Sequence, residues 1–154
     1  MRVYVPATLS TVAELVERRA VGPAPVAAFA VTAAVRAAAP GTDPDDLAED
    51  AMAAAADAAL GLLAAEPAAP RRRVVIAADV PDSAVEETDP ATGAVRVAAE
   101  IAMATVASAH VDDVDAEPDV SVAVTAWPAT SEAADGHALL WYATQELADL
   151  LSVT

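Results

Sequence analysis

Lysine and cysteine are both absent from this chain of 154 residues. Without cysteine there is no disulfide, no thiolate nucleophile and no cysteine-ligated metal. Without lysine no Schiff base can form. Glycine is scarce and scattered: Gly22, Gly41, Gly61, Gly93 and Gly136 stand far apart, so no glycine-rich loop exists to cradle a phosphate. No G-x-S-x-G elbow occurs either, which removes the usual signature of a serine hydrolase. The longest uncharged run, 20–35, has 16 residues and is broken by Gly22, Pro23 and Pro25, whereas a spanning helix needs about 20 apolar residues. Met1 to Pro6 lacks the apolar core of a signal peptide, so a soluble cytoplasmic protein is expected.

Positive charge is also scarce. Eight arginines face 24 acidic residues, for a net charge of −16. Counterion release on nucleic acid needs several clustered basic side chains, so nucleic-acid binding is not expected. The only basic cluster is Arg71-Arg72-Arg73, read as a solvated strand start, with a phosphate or acidic-partner contact as the alternative. Two origins fit an acidic, lysine-free surface, a GC-rich genome and a salt-adapted host, and neither specifies a function. Alanine accounts for 44 residues, so valine, leucine and isoleucine must supply most of the hydrophobic driving force. The five aromatic residues, Tyr4, Phe29, Trp127, Trp141 and Tyr142, are expected to organise the packing around them.

Local patterns predict alternating strands and helices. Arg2 to Val5 reads as a strand closed by Pro6. Thr11 and Glu14 have capping-box spacing for a helix with Val12, Leu15, Val16 and Arg19 on one face. Val26 to Val31 reads as a strand buried on both faces, with Thr32 capping a short helical turn through Arg36. Asp43-Pro44-Asp45-Asp46 opens a helix of about Pro44 to Ala65, since an N-cap carboxylate, a proline at the first position and further acids all suit the positive end of the helix dipole. Its face through Leu47, Ala51, Ala54, Ala58 and Leu62 would let the sheet, or a second copy of the protein, approach closely. Arg73 to Asp79 has the β-branched density of a central strand.

Residues 81–93 read as a loop or hairpin, with an apolar run resuming at Ala94 to Ala98. Thr105 to Val111 is another strand, Pro118 starts a helix to about Trp127, and 128–136 is a loop. Leu139 to Ala143 fits a strand followed by a helical turn, although its leucines also match helical spacing. The whole predicts one α/β domain over 1–154, with α+β as the variant: a mixed sheet of five or six strands packed with two or three helices.

Chemistry-bearing residues are sparse. His110 and Asp112 would share one face of a strand, and His137 would complete a two-histidine, one-carboxylate set. That set is the basis of an alternative reading, a small-molecule or metal-dependent enzyme using His110, Asp112 and His137. The bland reading of the same residues is a strand end running into an acidic turn, and no metal or cofactor is expected. Asp112, Asp113, Asp115, Glu117 and Asp119 could draw a divalent cation, but the run has no EF-hand glycine and contains Pro118. His137, Trp141 and Tyr142 gather polar and aromatic groups. Trp141 and Tyr142 would point to opposite faces of a strand, with Trp141 favouring the core and Tyr142 balanced between core and interface.

Three blocks are recognisable together: Met1 to Leu9 (MRVYVPATL), Gly22 to Thr32 (GPAPVAAFAVT) and Leu139 to Leu147 (LLWYATQEL). They resemble a family of small uncharacterised proteins from high-GC Gram-positive bacteria. Arg72 to Pro81 and Ala109 to Asp113 look like further blocks, so the likeness covers most of the chain. The chain departs from the family pattern after Thr32, where relatives carry aromatic residues and this one reads Val35-Arg36-Ala37-Ala38-Ala39. The resemblance implies a bacterial cytoplasmic host and supplies no functional residues. The expectation is a non-enzymatic binding or regulatory domain acting through a protein interface, self-association included, with Trp141, Tyr142, Arg71, Arg72 and Arg73 as candidate contacts and no membrane partner.

Overall fold

The structure is a computed structural model, described here for residues 1–152. Along the chain run β1 (Arg2–Ala7), α1 (Leu9–Arg18), β2 (Ala20–Val21), β3 (Val26–Ala30), α2 (Ala33–Ala38), α3 (Pro44–Ala65) and β4 (Val74–Asp79). Then come β5 (Val85–Asp89), β6 (Ala94–Val97), β7 (Ile101–Ala102), β8 (Val106–Val111), α4 (Glu117–Ala126), β9 (Leu140–Ala143) and α5 (Leu147–Ser152). Seven strands form one sheet in the order β5-β6-β3-β1-β4-β8-β9, while β2 and β7 make a separate two-stranded ribbon. All pairings are antiparallel. The α/β class stands, but the expected mixed sheet of five or six strands with two or three helices does not. Five helices lie among the described residues, and the strand excess comes from β2 and β7, too short to read as strands, and from β5, too polar.

Alternation along the strands divides the core by sheet face. Val3, Val5, Val74, Ile76, Ala109 and Val111 pack in one cluster with Leu9, Val12 and Leu15 of α1 and Leu147 and Leu150 of α5. Tyr4, Val75 and Ala77 meet Ala51, Ala55 and Ala56 of α3 in another. Because the α3 side of that contact is alanine, the helix can lie close over β1, β3 and β4. Its apolar stripe is thus consumed by the sheet. The far end of α3 continues through Leu60 and Leu63 into a third cluster with Val120, Ala123 and Val124 of α4.

Several local expectations hold. The Asp43 side chain accepts from the Asp45 backbone N–H, and Pro44 occupies the first turn of α3. Thr32 Oγ1 accepts from the Val35 N–H at the start of α2. Others are corrected. Pro6 lies inside β1, paired with Val75 of β4 at a point where the pairing with β3, confined to Val3 and Tyr4, has already ended; a residue without an N–H is tolerated where one flank of the strand is free. Helix α1 starts earlier than Thr11 suggests, with Thr8 as N-cap and Thr11 as its capping-box partner. Strand β3 is buried on one face only, since Ala27 is exposed. Leu47 and Ala51 of α3 are buried as expected, but the face then continues through Ala55, Ala56, Ala59, Leu60 and Leu63, leaving Leu62 exposed and Ala54 and Ala58 half-buried, because a run of alanines gives no periodic contrast from which to read a face. Of the two readings of residues 81–93, the hairpin is the one found, with β5 and the turn that leads into β6.

Candidate functional site

The sequence-singled residues gather where the Val74 end of β4, the Val111 end of β8 and the Leu140 end of β9 lie side by side, since Val74 pairs with Val111 and Val111 with Leu140. The arginine triplet enters this corner, and its three members do three different things. Arg71 Nη1 donates to the Leu63 carbonyl at 2.7 Å and the Glu66 carbonyl at 3.2 Å, and Nη2 to that of Pro67 at 3.4 Å. Helix α3 has no basic residue in its last turn, so Arg71 supplies from outside the positive charge that its C-terminal carbonyls favour.

Arg73 forms a buried, bidentate pair with Asp112. Arg73 Nε donates to Oδ2 at 2.8 Å and Nη2 to Oδ1 at 2.9 Å, while the Arg73 backbone N–H also donates to Oδ2 at 2.8 Å. Nη2 reaches further, to the carbonyls of Ala134 and His137. Asp112 is 0% exposed and Arg73 4%. Such a pair holds its place only because each charge is matched and each donor has an acceptor. It ties the start of β4 to the end of β8 and to the loop before β9.

Arg72 is the third case, 7% exposed. Its Nε donates to the Asp112 carbonyl at 2.8 Å. Its two terminal nitrogens have no hydrogen-bond partner among the described residues, and the side chain lines a cleft of about 570 Å³ together with Pro70, Asp113, Val114, Glu117, Tyr142 and Leu150. The expectation of three solvated arginines is therefore overturned for Arg72 and Arg73. Charge-run statistics describe surfaces, and this triplet leads straight into an inner strand, whose start is held by Asp112 and by the Ala134 and His137 carbonyls of the loop before β9.

The histidines are not brought together with Asp112 as the enzyme reading needs. His110 Nε2 lies 3.0 Å from Ser108 Oγ, and His137 Nε2 lies 2.7 Å from Asp119 Oδ2. Burial holds the His110 imidazole below its ordinary pKa of 6.5, with the Arg2 guanidinium adding to the effect. Asp112 gives both its oxygens to Arg73, and its backbone lies just past β8, not in the strand with His110. Among the described residues no three His, Asp or Glu side chains form a group that could hold a metal ion.

Strand β9 forms one edge of the sheet and β5 the other. The β5 edge, Val85-Glu86-Glu87-Thr88-Asp89, carries three acids, the usual means of blocking further strand addition. The β9 edge, Leu140-Trp141-Tyr142-Ala143, carries none within the strand, and only at its far end does a carboxylate intervene, where Glu146 Oε2 accepts the Ala143 N–H at 2.8 Å. Trp141 pairs with His110 and so belongs to the α3 face, but α3 lies chiefly over β1, β3 and β4, and Trp141 is left 61% exposed. The expected core placement of Trp141 is overturned for that reason. Tyr142, on the opposite face, packs half-buried against the larger core cluster. Leu140 and Val114 are exposed beside Trp141's end of the strand, and a second hollow runs along Trp141, Tyr142, Glu146, Asp149 and Leu150, sharing Tyr142 and Leu150 with the cleft. Sequence reasoning singled out Trp141, Tyr142 and the arginines. It missed Val114 and Leu150, which look like ordinary helix and turn residues until α5 and the Asp113 turn close around Arg72.

Among the described residues no helix is long and apolar enough to cross a membrane. No curated protein and no solved structure matches the chain. A family model does, over residues 1–151, and its description is a family of unknown function, DUF6912. With nearly every residue covered by that match, the chain belongs to this family.

Proposed function

We propose that the protein is a cytoplasmic, non-enzymatic binding or regulatory module that captures an extended segment of a partner protein along the β9 edge. The observation that carries this reading is the contrast between the two sheet edges: β5 is guarded by Glu86, Glu87 and Asp89, whereas β9 has no acid in the strand and exposes Leu140 and Trp141, with only its last N–H, that of Ala143, taken by Glu146. Strand addition draws affinity from main-chain hydrogen bonds and specificity from alternate side-chain pockets. An exposed tryptophan is the residue type most often found as an interface anchor.

The partner segment is basic. Glu146 and Asp149 line the hollow along Trp141 and Tyr142, Asp113 and Glu117 line the cleft that shares Tyr142, and the whole chain carries −16. Complementary charge favours a cationic segment, while a second copy would bring the same acids face to face. Self-association through α3 loses its motive as well, because the alanine stripe is already packed on the sheet.

The test is a selection of random decapeptides on the immobilised protein, followed by hydrogen exchange with the selected peptide bound. Alternating apolar and basic peptides that slow exchange of the β9 amides, and that lose affinity at least tenfold on Trp141→Lys, support the proposal. Peptides that protect amides elsewhere would overturn it, and so would light scattering that finds a dimer closed through β9.

A further inference from the structure

A buried arginine whose terminal nitrogens meet no partner is unusual, because a guanidinium removed from bulk water is normally matched by acceptors. Arg72 is more than nine-tenths buried and only its Nε is engaged. No fully buried side-chain nitrogen or oxygen lacks a partner among the described residues, so the two free Arg72 nitrogens keep access to the cleft that the residue lines. They form a rigid two-pronged donor, anchored at Nε, of the kind that matches a carboxylate. The rest of the wall is chemically divided. Tyr142, Leu150, Val114 and Pro70 are apolar, whereas Asp113 and Glu117 are acidic. A cleft of about 570 Å³ lies in the range of small-molecule sites.

From this arrangement we infer that the cleft binds a small zwitterion with an apolar body, an amino-carboxylate such as an apolar α-amino acid or a short peptide of such residues. Arg72 takes the carboxylate in two parallel hydrogen bonds. Asp113 and Glu117 take the ammonium. Tyr142, Leu150 and Val114 enclose the side chain. A simple anion is disfavoured, since the acids at the wall and the charge of −16 repel it, and a simple cation leaves Arg72 unmatched. The combination of one buried cation, two acids and an apolar wall selects a ligand carrying both charges. This inference does not depend on capture of a segment at β9, and the two can fail separately.

Calorimetric titration of the full chain decides it, with L-leucine, L-phenylalanine and L-leucyl-L-leucine as probes. Phenylalaninamide, which lacks the carboxylate, and 3-phenylpropionate, which lacks the ammonium, serve as controls. At least one zwitterionic probe is expected to bind saturably, with each one-charge analogue at least tenfold weaker. Tighter binding of leucine or phenylalanine assigns a free amino acid, and tighter binding of the dipeptide assigns a short peptide. Arg72→Met is expected to weaken binding at least tenfold. Because Arg72 also holds the Asp112 carbonyl, a second variant is needed that leaves the fold untouched: Val114→Trp, at an exposed position of the cleft wall, is expected to block the cleft with an equal loss. No saturable heat from any zwitterion up to about 10 mM overturns the inference, since affinity weaker than that corresponds to no specific site. So does an amide that binds as well as its parent, or binding that survives Val114→Trp.

Discussion

Removing the carboxylate of Asp112 should cost more than any other single truncation at this corner. In Asp112→Ala, Arg73 stays buried with its charge uncompensated, and three donors, the Arg73 backbone N–H, Nε and Nη2, lose their acceptor together. Nη2 keeps the carbonyls of Ala134 and His137, which is too little to neutralise a guanidinium. Breaking a buried pair from one side costs about 3–5 kcal/mol, against a typical total stability of about 5–15 kcal/mol. With a urea m-value of about 2 kcal/mol/M, a loss of about 4 kcal/mol lowers the midpoint by about 2 M. Urea titration followed by far-UV circular dichroism reads that shift. The double variant Arg73→Met/Asp112→Leu removes both charges and leaves the orphaned backbone N–H, about 1–3 kcal/mol, and the His137 carbonyl that loses its Nη2 donor. It should therefore be more stable than the sum of the single variants predicts. The reasoning is refuted if Asp112→Ala moves the midpoint by less than about 0.5 M at unchanged m-value, or if the double variant is simply additive.

Three further outcomes are expected. Burial lowers the folded pKa of His110 from 6.5, so the unfolded chain binds more protons as pH falls below that value. The contribution is fully present above pH 6.5 and is lost on acidification through the lowered native value; urea midpoints near pH 8 and near pH 5 should therefore converge less in the wild type than in His110→Gln, and equal pH dependence of the two would contradict the burial argument. Gly61 lies in α3 where an added Cβ would sit 2.8 Å from the Trp127 ring. Gly61→Ala gains helix propensity of about 1 kcal/mol and displaces a ring that is already 38% exposed, so stability should change by less than about 1 kcal/mol while Trp127 emission, read in a Trp141→Phe background, moves to the red. Gly93, at φ 78° in the β5–β6 turn, faces the Ala30 carbonyl oxygen, which a Cβ would approach to 2.6 Å. Backbone cannot step aside as a side chain can, so Gly93→Ala should lower stability by about 2 kcal/mol or more in thermal unfolding; a change below about 0.5 kcal/mol would show that the turn relaxes freely.

Strong local chemistry was legible. Asp43-Pro44 can do little except open a helix, Thr32 caps the one before it, and Arg73 to Asp79 has too many β-branched residues to be anything but an inner strand. Where local chemistry is weak, the reading slipped. The alanines of α3 hide which side faces the sheet. The two-residue strands β2 and β7 have no periodicity of their own, and the acids of β5 look like a loop because an exposed edge strand needs no apolar face.

What the chain determines alone is its composition and the chemistry it forgoes: no thiol, no lysine amine, no phosphate loop, and helix caps written in adjacent residues. What the tertiary structure decided is the fate of each side chain that could act. The same three consecutive arginines become a helix cap, a cleft donor and half of a buried ion pair, because their partners lie as far away in sequence as Leu63 and His137. Trp141 is exposed and Tyr142 half-buried for a similar reason: alternation sends them to opposite faces, and only the placement of α3 and α5 over the sheet determines which face is covered at its edge. Burial and pairing are properties of contacts between distant segments, and no local pattern carries them.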